Sequence, residues 1–191
     1  MSRLPGIRQT DLDDTGRALW DRLTSTRGAS VVGPDGSLIG PFNAFVTAPE
    51  VGARLAELGG LLRFQTSIDR RLLEVAIITT GAHWKAEFEW WAHARMAKEH
   101  GVRDDVIAAI RDGAADVPFA DRDDERVVHA VARELATTGR VSDPTYAAAR
   151  DLLGDRGVVE LVALCGYYTL ISFTLNAFDV PLPDGVAPVW G

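Results

Sequence analysis

The sequence predicts an all-α fold, on three observations. From Pro49 onward, apolar residues recur at helical spacing in segment after segment. Helix start and stop residues punctuate those segments, with Pro49 and Pro144 at openings and Gly101 at a close. No run of residues alternates apolar and polar side chains as a half-buried strand would.

The elements follow in order. Residues 1–10 read as an extended arm. Asp11 to Thr26 reads as a helix, with Leu12, Leu19, Trp20 and Leu23 on one face and Asp13 and Asp14 in its first turn. Residues 28–42 read as a long loop of turn-formers: Gly28, Gly33, Pro34, Asp35, Gly36, Gly40 and Pro41. Pro49 opens a helix carrying Leu55, Leu58 and Leu62. The next runs from about Ser67, taken as its N-cap, to Gly81. Another spans Lys85 to His100. Short helices follow over 104–112 and 121–138. Asp143 is expected to cap a helix starting at Pro144, and a last apolar helix covers 157–178. The expected organisation is an N-terminal arm, helix and loop (1–40), a helical domain (41–182) and a tail (183–191).

Composition narrows the function classes. The chain has 191 residues, 47% of them hydrophobic, enough for one well-buried core. A formal net charge of -7, without a basic cluster, argues against nucleic acid, whose phosphates need a basic surface. The single cysteine, Cys165, can form no internal disulfide and suits a reducing cytoplasm. The opening residues, Met1-Ser2-Arg3-Leu4-Pro5-Gly6, hold no apolar signal-peptide core, so a cytoplasmic protein is expected. Residues 158–178 are long and apolar enough to raise a membrane span. Glu160, Asn176, Gly166 and Ser172 within them favour a buried core or subunit-interface helix.

The chemistry concentrates between Arg70 and Gly101. Glu74 lies in Leu72-Leu73-Glu74-Val75-Ala76-Ile77-Ile78, a helix turn apolar nearly all round, so its carboxylate should be partly buried. Arg70 and Arg71, four and three residues earlier, are within reach of it. On the next helix Glu89 and His93 stand four apart and share a face, with small Ala86 and Ala97 beside them. A carboxylate next to an imidazole orients it and raises its basicity, and a second acid across a cleft would complete a proton relay. Spacing alone equally allows a solvated Glu–His pair and a structural ion pair from Glu74 to Arg70 or Arg71. A three-ligand metal site of Glu74, Glu89 and His93 is a further reading, although no metal is expected. His83 and Trp84 sit at the junction of the two helices, and Phe42 and Asn43 at the end of the long loop. His129 reads as a satisfied helix residue, and Tyr167 and Tyr168 as packing.

The wording around these residues resembles the carboxymuconolactone decarboxylase family, within the alkylhydroperoxidase D-like superfamily. The resemblance rests on Arg71-x-x-Glu74 and on Phe88-Glu89-Trp90-x-x-His93-x-x-x-Ala97-x-x-x-Gly101-Val102. Gly40-Pro41-Phe42-Asn43, Pro49-Glu50, Asp124-Glu125-Arg126-x-Val128, Val158-Val159-Glu160-Leu161 and Asn176-Ala177-Phe178 extend it over about residues 40–182. It implies an alkylhydroperoxidase D-like helical bundle that assembles as trimers or hexamers. In the peroxidase branch it implies two cysteines, at the positions held here by Ala86 and Glu89. With both missing, the chain cannot cycle a disulfide by itself.

The decarboxylase branch is nearer. It implies no metal or organic cofactor and a small lactone or carbonyl acid as substrate. His93 is then the expected acid/base, Glu89 its orienting or proton-sharing partner, and Glu74 the end of the relay. Arg71 is expected to hold Glu74 or a substrate anion, with His83, Asn43, Phe42 and Trp90 as substrate-binding candidates. The expected function is thus a cofactor-independent lyase or isomerase. The alternatives are a non-catalytic family member that binds a small ligand or partner, and a peroxidase-like redox protein using an external thiol.

Overall fold

A computed structural model describes residues 2–191; residue 1, the start of the expected arm, lies outside them. The described residues form eight α-helices and no sheet. Two isolated antiparallel bridges, Arg8 with Ser37 and Val32 with Leu38, are the only extended pairings among them.

The N-terminal arm is irregular and docks on the end of the chain. The Arg3 N–H donates to the Phe178 carbonyl, and the Arg3 guanidinium pairs with Asp179 at 2.7 Å. A 3-10 turn over Gln9–Asp11 leads into helix α1 (Asp14–Arg27). That helix starts later than its apolar pattern suggests. Asp13 is extended, and its carboxylate accepts from the Gly16 N–H at 2.8 Å, so it caps the helix from outside.

The long loop is more ordered than its turn residues suggest. It contains a 3-10 turn over Ala29–Val31 and folds back through the Val32–Leu38 bridge. A short helix not expected from the sequence, α2 (Phe42–Thr47), ends it. Helix α3 (Pro49–Phe64) begins one residue later, with proline in its first turn, where no N–H is needed. Gly52 permits the tight joint: a Cβ there would lie 2.2 Å from the Phe45 carbonyl oxygen.

Helix α4 (Arg70–His83) is the centre of the molecule, packed by α5, α6, α7 and α8. Ten consecutive residues, from Leu72 to Gly81, are buried. It begins three residues after the expected start. Asp69, not Ser67, is the cap, accepting from the Arg71 N–H at 3.0 Å. Ser67 instead donates its hydroxyl to Glu160 at 2.7 Å, joining the loop to the last helix. Helix α5 (Glu87–Glu99) runs back along α4 and is stopped by Gly101, whose φ of 91° no β-carbon tolerates easily. Gly81 lets α5 come close, since a Cβ there would stand 3.3 Å from Glu89 Cγ.

Helices α6 (Asp104–Arg111) and α7 (Asp123–Thr138) close one side. Helix α8 (Asp143–Ala177) is two helices joined at Gly154, where φ 68° and ψ 171° interrupt the helical path. Asp143 lies inside its first turn, and Ser142 takes the flanking position. One face of residues 155–177 is buried through Val158, Leu161, Leu164, Tyr168, Ile171 and Leu175. The other face shows Val159, Val162, Leu170 and Phe173 to solvent. By length and composition this helix is apolar enough to cross a membrane, and half of its most apolar window is buried in the fold.

Candidate active site

Three ionisable side chains meet between α4 and α5. Glu74 Oε2 lies 2.7 Å from His93 Nδ1, and Glu89 Oε1 lies 3.2 Å from His93 Nε2. Helical geometry brings Glu89 and His93 onto one face, and the α4–α5 hairpin brings Glu74 opposite them. Their side chains are only 0%, 5% and 7% exposed in that order Glu74, Glu89, His93. Tyr168 of α8 stands edge-on to the His93 ring, with centroids 5.1 Å apart. Arg70 completes the shell, its Nη2 2.9 Å from Glu74 Oε1.

The two carboxyls are driven apart electrically. Burial acts to raise the Glu74 pKa, but the hydrogen bond and charge of His93, with Arg70 and Arg63 behind them, outweigh it and hold Glu74 below the ordinary glutamate range. Glu89 goes the other way. Its burial outweighs the attraction of His93 and Arg63, and the neighbouring Glu74 charge adds to the rise. The Glu89–His93 contact also lacks hydrogen-bond alignment, leaving Oε1 buried without a partner. Two carboxyls shifted in opposite directions thus flank one histidine. An ionised Glu74 accepts from Nδ1–H and leaves Nε2 facing Glu89.

These three groups do not converge as metal ligands. The carboxylates contact opposite nitrogens of one ring, so no single point lies within ligand reach of all three. Cys165 offers no thiolate either, as burial pushes its thiol up to about 12.

The other expected site residues lie elsewhere. Arg71 does not hold Glu74. One helical step turns it toward α7, where it pairs with Asp124 at 2.6 Å and with the fully buried Glu125. His83 is exposed at the end of α4 and lines a separate cavity of about 530 Å³ with His129 and Trp190. Trp90 packs on Trp190 of the C-terminal tail, with ring centroids 5.3 Å apart. Asn43 ties down the arm, accepting from the Ile7 N–H and donating to the Pro5 carbonyl, each at 3.0 Å. Phe42 packs against Phe45 and lies under the Arg27 guanidinium, 4.7 Å from its ring centre.

Sequence reasoning passed over Arg63 and Arg27. Arg63 ends an otherwise apolar run, Leu61-Leu62-Arg63-Phe64, and its charge acts on both Glu74 and Glu89. A lone arginine in such a run was the available signal. Arg27 gave none, because its neighbours come from distant segments.

Residues 49–136, which carry Glu74, Glu89 and His93, match the carboxymuconolactone decarboxylase family. That segment, a little under half of the chain, is similar to the carboxymuconolactone decarboxylase family. Solved structures carry the same fold. An uncharacterised peroxidase-related protein from Ralstonia eutropha, described as an alkylhydroperoxidase AhpD core, superposes with a TM-score of 0.75 at 14% identity, covering 96% of this chain and 93% of its own. A protein of unknown function from Agrobacterium tumefaciens, described as a candidate AhpD antioxidant defence protein, gives 0.62 at 16% identity, covering 74% of this chain and 96% of its own. At such identities the likeness concerns the fold. No curated protein matches the chain in sequence. Within this carboxymuconolactone decarboxylase-like fold, the family match includes Arg63 and leaves out Arg27, Phe42 and Tyr168.

Proposed function

We propose that this protein is a cofactor-independent lyase or isomerase that moves protons on a small lactone or carbonyl acid, using Glu74, His93 and Glu89. The observation that carries the reading is the pairing of opposite pKa shifts around one histidine. Glu74 is pushed toward its charged form and fixes the ring, while burial pushes Glu89 toward its protonated form. In a decarboxylation the carbon–carbon bond to the carboxylate breaks and carbon dioxide leaves. The electron pair moves into the adjacent carbonyl as an enolate. The proton on the Glu89–His93 pair is then delivered to the carbon, and water restores it. An isomerisation uses the same pair first as base and then as acid.

Two features support this over thiol-dependent peroxide reduction. Ala86 and Glu89 stand where the resemblance implies cysteines, and the Cys165 thiol is buried and hard to ionise. One observation favours a non-catalytic ligand-binding member. Three cavities of about 500–530 Å³ are lined by residues other than Glu74, Glu89 and His93.

The proposal extends to assembly in the cytoplasm. The exposed apolar residues of α3 and α8, including Leu58, Leu61, Phe64, Val159 and Phe173, form surface suited to a second copy of this chain, as in a trimer or hexamer.

The test is a paired assay on the purified protein. Carbon dioxide release is measured from γ-carboxymuconolactone and from simple β-keto acids. Loss of cumene hydroperoxide is measured beside it with dithiothreitol. Release of carbon dioxide above the uncatalysed rate is expected. Peroxide consumption without any carbon dioxide release would contradict the reading.

A further inference from the structure

Two arginines near this cluster lack the partner that a buried cation normally has. Arg27 ends α1 and Arg63 lies in the last turn of α3. Each Nε is buried and has no hydrogen-bond partner. Among the described residues neither guanidinium pairs with a carboxylate, although the neighbouring Arg70 and Arg71 are paired with Glu74 and with Asp124 and Glu125. The best Arg63 achieves is a 3.3 Å contact to the Met96 sulfur, a weak acceptor three residues beyond His93. Arg27 rests on the Phe42 ring, and Arg63 stands over Phe64 at 5.0 Å.

The two are close enough to repel. Burial first, and then the Arg63 charge, lower the Arg27 pKa. Arg63 in turn acts on Glu74, Glu89 and Tyr168. The chain has 27 Asp and Glu residues against 20 Lys and Arg, so acids to neutralise this spot are plentiful. None forms an ion pair with either guanidinium, and Glu74 and Glu89 act on Arg63 only from beyond contact distance. Keeping two neighbouring, partly dehydrated guanidiniums without a hydrogen-bonded counter-charge is costly to the fold. That cost is removed when an anion arrives.

We propose that Arg27 and Arg63 form the seat for a carboxylate of the small molecule on which the Glu74–His93–Glu89 cluster acts. A guanidinium presents paired N–H donors that fit the two oxygens of a carboxylate, and both forks here have donors to spare. The Phe42 ring lies against the Arg27 guanidinium and the Tyr168 ring against His93, aromatic neighbours that suit an organic acid with a flat or unsaturated body over a bare inorganic ion. Arg27 comes from the helix that precedes the matched family region.

The inference rests on the proposed function for what the ligand undergoes, but its readout is binding. Calorimetric titration with cis,cis-muconate, a dicarboxylate, is compared with its uncharged dimethyl ester. The acid is expected to bind the unaltered protein, and the ester at least about ten-fold more weakly. Arg27→Gln and Arg63→Gln should each weaken the acid by roughly ten-fold or more, with Arg63→Lys recovering part of the loss. Thermal melting of both Gln variants should match or exceed the unaltered protein, since each removes an unpaired cation. Arg22→Gln, at an exposed residue of α1, should leave binding of the acid unchanged. His93→Gln should bind the acid within about three-fold while losing turnover, which separates this site from the catalytic reading. If binding depends on the arginines but no turnover is found, the catalytic reading fails and this one stands. No binding of the acid, equal binding of acid and ester, or unaltered affinity in both Gln variants would overturn it.

Discussion

Glu74 on α4 and His93 on α5 meet at 2.7 Å, Oε2 to Nδ1, and neither side chain is more than 7% exposed. This contact joins the two helices whose packing builds the site, so it bears on stability as well as chemistry. The other Glu74 oxygen faces Arg70 at 2.9 Å. Glu74→Ala would leave Arg70 and His93 without their buried counter-charge and is expected to cost about 3–5 kcal/mol. Glu74→Gln keeps the shape and one acceptor, and should cost about 1–3 kcal/mol. Urea unfolding of the two variants checks both the order and the size.

Arg71 gives the contrasting case. It ties α4 to α7 through Asp124 and the buried Glu125. Arg71→Met leaves the buried Glu125 with only the 3.4 Å contact to Arg122, so a loss of up to about 3–5 kcal/mol is expected. Because Arg71 faces away from His93, KM should not change at temperatures where the variant is folded. A rise in KM at unchanged stability would return Arg71 to the substrate site.

The pH dependence of stability has a separable source. The half-buried His129 accepts or donates at Nδ1 to the Thr79 hydroxyl, at 3.0 Å, and burial followed by the nearby Arg133 lowers its pKa to about 4. The unfolded chain takes up a proton on this residue below about pH 6.5, whereas the folded chain resists until near 4. Stability should therefore be intact above 6.5 and fall by up to about 3 kcal/mol as the pH drops toward 4. The depressed Glu74 adds a loss only at still lower pH, below the ordinary glutamate range. Glu89, raised by burial, contributes in the opposite direction, its stabilisation fading as the pH rises through its folded value. Denaturant titrations of the unaltered protein and of His129→Gln, from pH 7 to 4, test this: the variant should lose most of the slope.

The exposed apolar face of α3 and α8 should be covered by another copy. Val159 is 68% exposed and Phe173 50% exposed, about four turns apart on the outward face of α8. Light scattering during size exclusion should give a mass that is a multiple of one chain. Val159→Glu with Phe173→Glu should lower that multiple. A monomer at micromolar concentration would contradict the assembly proposal.

Much of this fold was legible because it is built from local signals. The apolar spacing of Leu72 to Ile78 marks a buried helix, and Glu89 and His93 are neighbours simply because they are four apart. What escaped reading was non-local. Arg70 and Arg71, four and three residues before Glu74, are both within helical reach of it. The choice of Arg70 follows from a 100° helical step and from Asp124, which waits 53 residues away to receive Arg71. Asp69 and Ser67 are both good caps, and the decision fell to Glu160 on α8, which takes the serine. Trp90 shares a helix with His93, yet its surroundings are set by Trp190 at the other end of the chain. The unpaired state of Arg27 and Arg63 is an absence created by three-dimensional packing, and no spacing rule reveals it.

The central claim is that His93 and its two carboxyls transfer the proton. The most direct measurement is decarboxylation of γ-carboxymuconolactone in deuterium oxide by the unaltered protein and by His93→Gln, with circular dichroism confirming that both are folded. The account predicts one deuterium at the carbon that lost carbon dioxide and a rate lower by about 10²–10⁴-fold in the variant. Full activity in folded His93→Gln would contradict it.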